Sequence, residues 1–293
     1  MKTRKKPSEH VFDAILILYM TLIVIITLYP FWYVLVISFN EGMDANRGGI
    51  YFWPRVFSTT NYEAVFRNSS LLRGFFLSVA RTVVGTLSAV FFTSMVAYAL
   101  SHQQLVARKA YMLYGTITMF FGAGLIPYYL LIRDLGLRNT FWVYIIPVLF
   151  NFYNMIVIMA FFRQLPGDLE ESAKIDGAGY WRIFLRIVLP LSTPILATMC
   201  LFNGVYHWNE YFTAVLYIDK PELLPIQTIL FKIVAESSAI KMLYVPDVIA
   251  RRKLTPESVK MATMMVATFP IICVYPFLQK YFAKGILVGS LKG

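Results

Sequence analysis

Two ionisable residues stand out because they lie inside long apolar stretches. Arg81 falls in the apolar run 73–100, and Glu210 falls near the end of the run 189–218. An ionisable side chain at membrane depth is costly and marks a substrate or ion path by default. Arg81 either meets a polar or acidic substrate in a water-filled path or extends its long side chain to the membrane surface. Glu210 either carries protons for coupled transport or is an interfacial residue that is paired locally or hydrated.

Aromatic side chains are abundant along the same apolar runs. The chain has 19 Tyr, 24 Phe and 5 Trp. Ligand sites often combine aromatic faces with a few polar groups, and this combination suits a sugar. Membrane aromatics also form interfacial belts or pack against lipid, so each candidate has both interpretations. In addition to Arg81 and Glu210, the candidate path residues are Tyr128, Tyr129, Tyr153, Asn154 and Asn209.

Motifs for covalent chemistry are absent from the sequence. There is no GxxxxGK[ST], so this chain cannot hold ATP phosphates in the P-loop manner. GxSxG, HExxH and CxxC are also absent, and the three histidines are scattered. We therefore predict no catalytic residue, no metal site and no cofactor bound by this chain. A membrane enzyme, such as a glycosyltransferase-like protein, remains a rival that the shortage of paired carboxylates and nucleophile–base sets disfavours.

The polar stretch from Leu165 to Pro190 has a helical pattern of its own, and we call it the elbow. Acidic residues from Asp168 onward match the first turn of a helix, and Gly177 can adopt the positive φ of a turn. A second amphipathic helix is predicted by apolar residues at helical spacing, Trp181, Phe184 and Ile187. The elbow therefore reads as a helix-turn-helix held by a partner outside the hydrocarbon. The alternative is an amphipathic hairpin lying at the membrane interface.

Composition places these segments in an integral membrane protein. The 293 residues are 58% hydrophobic and 15% charged, whereas soluble domains carry about 25% charge. Apolar runs near the roughly 20 residues needed to cross a bilayer recur along the chain. We predict an all-α fold with six spans, at about 14–39, 73–100, 111–132, 141–162, 189–218 and 261–282. The net charge of +11 lies largely beside these spans, so we predict no nucleic-acid partner.

The predicted organisation is a basic tail at 1–13, a transmembrane domain at 14–283 that contains the elbow at about 165–190, and a tail at 284–293. Six spans place both termini and the elbow on one side of the membrane. The basic residues of the first tail predict that this side is cytoplasmic. The tally of basic residues is nearly tied between the two sides, because Arg251, Arg252, Lys253 and Lys260 crowd the connection between the fifth and sixth spans.

The elbow resembles the EAA loop of binding-protein-dependent ABC importer permeases. The residues that carry this likeness are Glu171-Ser172-Ala173, Asp176-Gly177-Ala178, Phe184, Ile187, Leu189-Pro190 and Pro194. Ser172 stands where that motif usually has alanine. The likeness covers nearly the whole chain, through Ser38-Phe39, Asn61-Tyr62, Ala97-Tyr98-Ala99-Leu100-Ser101, Leu135-Gly136-Leu137 and Trp208-Asn209-Glu210. The sequence pattern is similar to that of the carbohydrate-uptake branch of this family, which includes the smaller permease of the maltose system. Met119-Phe120-Phe121 and Gly124-Leu125-Ile126-Pro127 resemble a subgroup serving oligosaccharides of complex polysaccharides, with alginate importers as the suggested match.

This resemblance implies a multi-pass subunit of the bacterial inner membrane that catalyses no reaction itself. It would pair with a second homologous permease and an ATPase dimer that binds ATP and Mg²⁺, and an extracytoplasmic solute-binding protein would deliver an oligosaccharide. In the elbow, Glu171 and Asp176 would contact or orient the ATPase, and Gly177 would form the turn. The implied coupling residues are Glu171, Ser172, Ala173, Asp176, Gly177, Ala178, Phe184, Ile187 and Pro190. The rival transporter class is a proton-coupled secondary sugar transporter that uses Glu210.

Overall fold

The computed structural model describes residues 7–236 and 254–290, which are mostly helical and contain no strand beyond an isolated bridge between Asn40 and Phe57. The helices are α1 (Pro7–Ser38), α2 (Gly42–Ala45), α3 (Thr60–Arg67), α4 (Ser69–Ser101), α5 (Arg108–Phe120), α6 (Leu125–Asp134), α7 (Phe152–Phe162), α8 (Gly167–Ile175), α9 (Tyr180–Leu191), α10 (Thr193–Asn209), α11 (Phe212–Tyr217), α12 (Ile226–Glu236) and α13 (Pro256–Ser290). Short 3₁₀ helices cover Phe141–Tyr144, Ile146–Val148 and Pro221–Leu223.

Three stretches of the described residues are long and apolar enough to cross a membrane as single helices, namely Glu9–Ser38, Ser69–Ser101 and Pro256–Val274. Three further candidate spans are helix pairs joined by sharp bends. The bends are 117° between α5 and α6, 54° between the 3₁₀ segment 141–148 and α7, and 82° between α9 and α10. Counting each bent pair as one span gives up to six candidate spans, the number that the sequence predicted. The bounds differ for the fifth, because its pair covers Tyr180–Asn209 and includes the second elbow helix, whereas the prediction was 189–218.

Local sequence explains bends that we did not predict in the third and fourth spans. Before α6, Gly124 has φ +83, a conformation that a side chain would strain. Before α7, the Asn151 side chain accepts a hydrogen bond from the Asn154 backbone N–H at 2.9 Å, which caps a new helix. The break at Ser192 lies between Pro190 and Pro194, and proline interrupts the hydrogen bonding of a helix.

The chain divides into two compact units, and the first comprises 1–69 with 232–268. In it the Asn61 side chain donates hydrogen bonds to the carbonyls of Ser38 and Asn40, at 2.9 and 2.8 Å. The hydroxyls of Ser38 and Tyr62 lie 2.7 Å apart. These contacts bring together two of the short motifs, at 38–39 and 61–62, on which the family resemblance depends.

The second unit comprises 70–231 with 269–293 and holds the elbow. Its main core contains apolar side chains from α4, α7, α9 and α10, among them Ala97, Tyr98, Met155, Ile158, Phe162, Ile183, Phe184, Val188 and Met199. A second cluster joins the 3₁₀ segment after residue 140 to α6 and α11, through Ile132, Val143, Tyr144, Ile145, Ala214, Tyr217 and Ile218. The elbow is therefore packed onto the same core as the helix α4 that carries Arg81.

The two predicted tails are partly helical. Helix α1 includes Pro7 and the residues that follow it, so residues 7–13 belong to the first helix. Helix α13 runs through Pro270 and Pro276 to Ser290, so residues 284–290 continue the last helix. Residues 1–6 and 291–293 of the tails, and the basic cluster at 251–253, lie outside the described residues.

Candidate functional site

The elbow is a helix-turn-helix formed by α8 and α9. Acidic residues occupy the first turn of α8, and its end is closed by backbone hydrogen bonds from Gly177 to Lys174 at 3.0 Å and from Ala178 to Ala173 at 2.9 Å. Gly177, the predicted turn residue, has φ +78. This left-handed conformation after a helix end is the one that glycine adopts most readily. The turn aims α9 back toward the core.

Helix α9 buries one face against the core of the second unit. Ile183 and Phe184 are fully buried, and Val188 is nearly so. The Phe184 ring stacks on Tyr98 of α4 at 5.3 Å between ring centroids. Residues 184–188 are π-helical, and this widened turn lets Ile183 and Val188 share the buried face. Of the apolar residues predicted for this face, Phe184 is buried and Ile187 half-buried, whereas Trp181 is 54% exposed.

The opposite side of the elbow combines exposed apolar and acidic residues. Ile175 is 86% exposed and Tyr180 is 58% exposed, next to the exposed Glu171 and Asp176. Contiguous apolar side chains rimmed by polar ones mark interaction surfaces. The other candidate coupling residues vary in exposure: Ser172 and Pro190 are exposed, and Ala173 and Ala178 are half-buried. Sequence reasoning missed Ile175, although an apolar residue beside the acidic turn is a usable signal.

A charged cluster fastens α8 to the end of α4. One carboxylate oxygen of Glu170 accepts hydrogen bonds from His102 Nε2 at 2.8 Å, from Lys174 Nζ at 2.9 Å and from the Tyr98 hydroxyl at 3.4 Å. Burial raises the pKa of Glu170, but the hydrogen bonds from His102 and Lys174 outweigh it and leave that pKa below its usual value. The hydrogen bond to Glu170 raises the pKa of Lys174. The contact between Glu170 and His102 was not predicted, because the two residues are 68 positions apart in the chain.

Arg81 and Glu210, considered separately in the sequence, form one pair. Arg81 is 1% exposed, and its Nη1 lies 3.7 Å from Glu210 Oε2. Its Nε donates to the His207 carbonyl at 2.7 Å, and its Nη2 donates to the carbonyls of His207 and Glu210. The other carboxylate oxygen of Glu210 accepts the Thr213 backbone N–H at 2.7 Å. Arg81 therefore does not extend to a surface, and the pair joins α4 to the end of α10 and the start of α11.

A small cavity of about 100 Å³ adjoins this pair. Its lining includes Arg81, Tyr128, Tyr144, Tyr206, Glu210 and Tyr217. The structure thus unites Tyr128 with the two charged candidates, and it adds Tyr144 and Tyr206, which sequence reasoning missed. The Arg81 guanidinium lies 4.9 Å from the centre of the Tyr144 ring.

The remaining path candidates lie outside this cavity. Tyr129 stacks on Tyr217 at 5.4 Å as part of a core cluster. Tyr153 is 61% exposed, Asn209 is exposed at the end of α10, and the backbone of Asn154 forms the capped start of α7. Among the described residues, no group of three or more His, Cys, Asp or Glu side chains could hold a metal ion.

Comparison with known proteins identifies the class. Residues 5–288 match the family model described as "Binding-protein-dependent transport system inner membrane component". The chain belongs to this family, whose members are membrane-spanning permease subunits of binding-protein-dependent transporters. The resemblance inferred from the elbow is thereby confirmed, as is the all-α membrane fold.

Individual relatives span the full length of the chain. The polygalacturonan/rhamnogalacturonan transport system permease protein YtcP of Bacillus subtilis is 38% identical over 98% of this chain and all of the relative. Protein LplC of the same organism is 39% identical over 98% of this chain and 96% of the relative. A crystal structure of a bacterial ABC transporter involved in the import of the acidic polysaccharide alginate contains a similar chain. It has 28% identity and a TM-score of 0.87, covering 96% of this chain and 100% of that one.

Proposed function

We propose that this chain forms half of the translocation path of an ATP-driven importer for an oligosaccharide delivered by a solute-binding protein. Membership of the binding-protein-dependent family supports a transport role. The missing P-loop means that another polypeptide must supply the ATP chemistry. The partners are a second homologous permease, an ATPase dimer holding ATP and Mg²⁺, and the solute-binding protein, all assembled at the bacterial inner membrane.

The observation that carries this proposal is the exposed side of the elbow. Ile175 and the two carboxylates of Glu171 and Asp176 are exposed, and none of the residues that the structure describes covers them. The buried side, through Phe184, is packed against the core. An ATPase that closes on this surface pushes on an element fixed to the spans. Both termini then lie on the elbow's side of the membrane, the cytoplasmic side.

The substrate class follows from the relatives. One is named for polygalacturonan and rhamnogalacturonan transport, and one structural neighbour belongs to an importer of alginate. Polygalacturonan and alginate are polymers of uronic acids, so an acidic oligosaccharide such as an alginate oligosaccharide is the proposed cargo. Arg81 adds no support for an acidic cargo, because Glu210 and two backbone carbonyls already engage it. Tyr128, Tyr153 and Asn209 remain candidates for the surface of the path, and Tyr129 and Asn154 for its support.

Proton-coupled transport by Glu210 is the disfavoured alternative. One oxygen of this carboxylate accepts the Thr213 N–H and the other faces Arg81. Both oxygens of the Glu210 carboxylate are therefore engaged by contacts that join parts of this chain.

Uptake by the complete importer in proteoliposomes tests the function. With the solute-binding protein outside and Mg-ATP at the ATPase side, we expect uptake of an alginate tetrasaccharide and little uptake of a neutral maltotetraose. Collapse of the proton gradient should leave uptake unchanged. Uptake that follows the gradient and ignores ATP would overturn the proposal.

Crosslinking tests the elbow's role. In a background with Cys200→Ser and Cys273→Ser, Ile175→Cys should crosslink to a cysteine on the ATPase, with a yield that changes with nucleotide. Leu135→Cys is the matched control, because Leu135 is also exposed, at 60%, but follows α6. A crosslink at Leu135 and none at any elbow position would contradict the assignment.

A further inference from the structure

We propose that Glu170 and His102 form a latch that fixes the elbow to α4, and that α4 carries the elbow's motion to the Arg81–Glu210 pair. The inference rests on the proposed function, in which an ATPase moves the elbow. It assigns the positioning role to two residues outside the implied coupling motif.

The first elbow helix depends on polar contacts for its attachment. Helix α8 contains no buried residue, in contrast to α9 with its fully buried Phe184. Glu170 is the α8 residue whose side chain reaches across to α4 and the residue that follows it, through the Tyr98 hydroxyl and His102. The apolar contact of α8 with the core comes from Ala173, a small side chain that is only half-buried. The orientation of α8 relative to α4 therefore depends largely on the Glu170 carboxylate.

The two ring nitrogens of His102 face different partners, one on α4 and one on α8. Its Nδ1 lies 2.8 Å from the Tyr98 carbonyl oxygen, an acceptor, so Nδ1 donates. Its Nε2 points to Glu170 Oε1 at 2.8 Å. The Tyr180 ring of α9 packs edge-on against the imidazole, with 5.4 Å between the ring centroids. The imidazole of His102 therefore contacts Tyr98 of α4, Glu170 of α8 and Tyr180 of α9.

Helix α4 is suited to transmit a displacement. It runs without a break or a proline from Ser69 to Ser101, whereas the path from α9 to α10 turns through 82° at Ser192. His102 follows the last residue of α4, and Arg81 lies 20 residues before that end, or about 30 Å along the helix axis. At that point the Arg81 side chain donates hydrogen bonds to the carbonyls of His207 and Glu210 at the end of α10. A push on the elbow therefore reaches the end of α10 through one unbroken helix.

The test uses the complete importer in proteoliposomes, copurified through a tag on this chain. We measure alginate tetrasaccharide transported per ATP hydrolysed. We also measure the nucleotide-dependent change in the EPR spectrum of a spin label at Ala80→Cys, which is exposed beside Arg81 on α4. Glu170→Ala and His102→Leu should each lower transport per ATP by about fivefold or more, and should abolish the response of the label. The double variant should transport no less per ATP than Glu170→Ala alone, because both substitutions remove the same contact between Glu170 and His102.

Two controls separate this latch from a general structural role. Lys174→Met removes another partner of Glu170 but acts within the elbow, so transport per ATP should stay within about twofold of wild type. His102→Arg supplies a donor long enough to reach Glu170 and should restore much of the transport lost in His102→Leu. Failure of this rescue, or a label that still responds in Glu170→Ala, would overturn the proposal.

The crosslink at Ile175→Cys should persist in the latch variants. Its absence from an Ile175→Cys importer whose Glu170 and His102 are unchanged would overturn the proposed function, and this inference with it.

Discussion

Two charged clusters in the same compact unit differ in their partners and in their access to water. At the Arg81–Glu210 pair the guanidinium is 1% exposed, and most of its hydrogen bonds go to backbone carbonyls at the end of a helix. At the Glu170 cluster all the groups bound to the carboxylate are side chains, and the side chains of His102 and Glu170 are 24% and 25% exposed. The first cluster is anchored to backbone that side-chain rotation cannot move, whereas the second can open when its side chains rotate.

The solvent exposure of each cluster sets the energetic consequence of breaking it. Removal of one partner from a buried ion pair costs about 3–5 kcal/mol, since the other charge is left without compensation. A solvated pair is worth about 0–1 kcal/mol, because water replaces the lost partner. The buried pair is therefore suited to hold α4 and α10 together through every state of a cycle. The solvated cluster is suited to a joint that is remade repeatedly.

Arg81→Met should produce the largest effect of the changes considered. It leaves the Glu210 carboxylate without its countercharge and leaves the His207 carbonyl without its donors. We expect the free energy of unfolding to fall by about 3–5 kcal/mol, measured by denaturant unfolding in detergent micelles. The double variant Arg81→Met with Glu210→Gln should recover part of that loss, because no buried charge remains. An Arg81→Met protein as stable as wild type would show that water already reaches the pair.

A pair of aromatic truncations extends the comparison to the elbow itself. Phe184→Ala removes a fully buried ring packed on Tyr98 and should lower the free energy of unfolding by about 3–5 kcal/mol. Trp181→Ala is the matched control, because Trp181 is 54% exposed and should cost about 1 kcal/mol or less. Thermal unfolding of the purified chain compares the two. Equal losses would contradict the division of the elbow into a buried and an exposed side.

The sequence predicted those parts of the structure that depend on local pattern. Gly177 and the acidic first turn of α8 are local signals, and the elbow was found from them. The bend before α6 was missed, because a short glycine-containing break inside an apolar run barely changes its hydropathy. The pairing of Arg81 with Glu210 joins residues 129 positions apart, and periodicity carries no information at that separation. Arg81 and Glu210 nevertheless carry opposite charges within apolar runs, and this was a reason to consider them together.

Gly85→Ala tests how tightly α4 and α10 pack beside the buried pair. An added Cβ would lie 2.4 Å from His207 Nε2, so the imidazole or the helix must shift. We expect a loss of about 1–3 kcal/mol in the free energy of unfolding. Gly204→Ala is the matched control on α10, where the nearest atom is Thr86 Oγ1 at an ordinary 3.7 Å. The control should be neutral or slightly stabilising, because alanine favours a helix over glycine. If both variants behave alike, the contact between α4 and α10 is looser than the buried pair implies.

The smallest effect concerns the pH dependence of the Glu170 cluster. The pKa of Glu170 is lowered in the folded chain, so its contribution to stability is present above its unfolded pKa of about 4.3 and is lost as pH falls through the folded value. The pKa of Lys174 is raised, so its contribution is present below about 10.4 and is lost as pH rises through the folded value. Since the cluster is partly solvated, wild type should exceed Glu170→Gln by about 1 kcal/mol or less at pH 7. That difference, followed by thermal unfolding, should shrink as pH falls below about 4, because protonation removes the charge that His102, Lys174 and Tyr98 face. A difference that grows on acidification would mean that the carboxylate is held in its neutral form, and the cluster would then resemble a fixed buried site rather than a joint that opens.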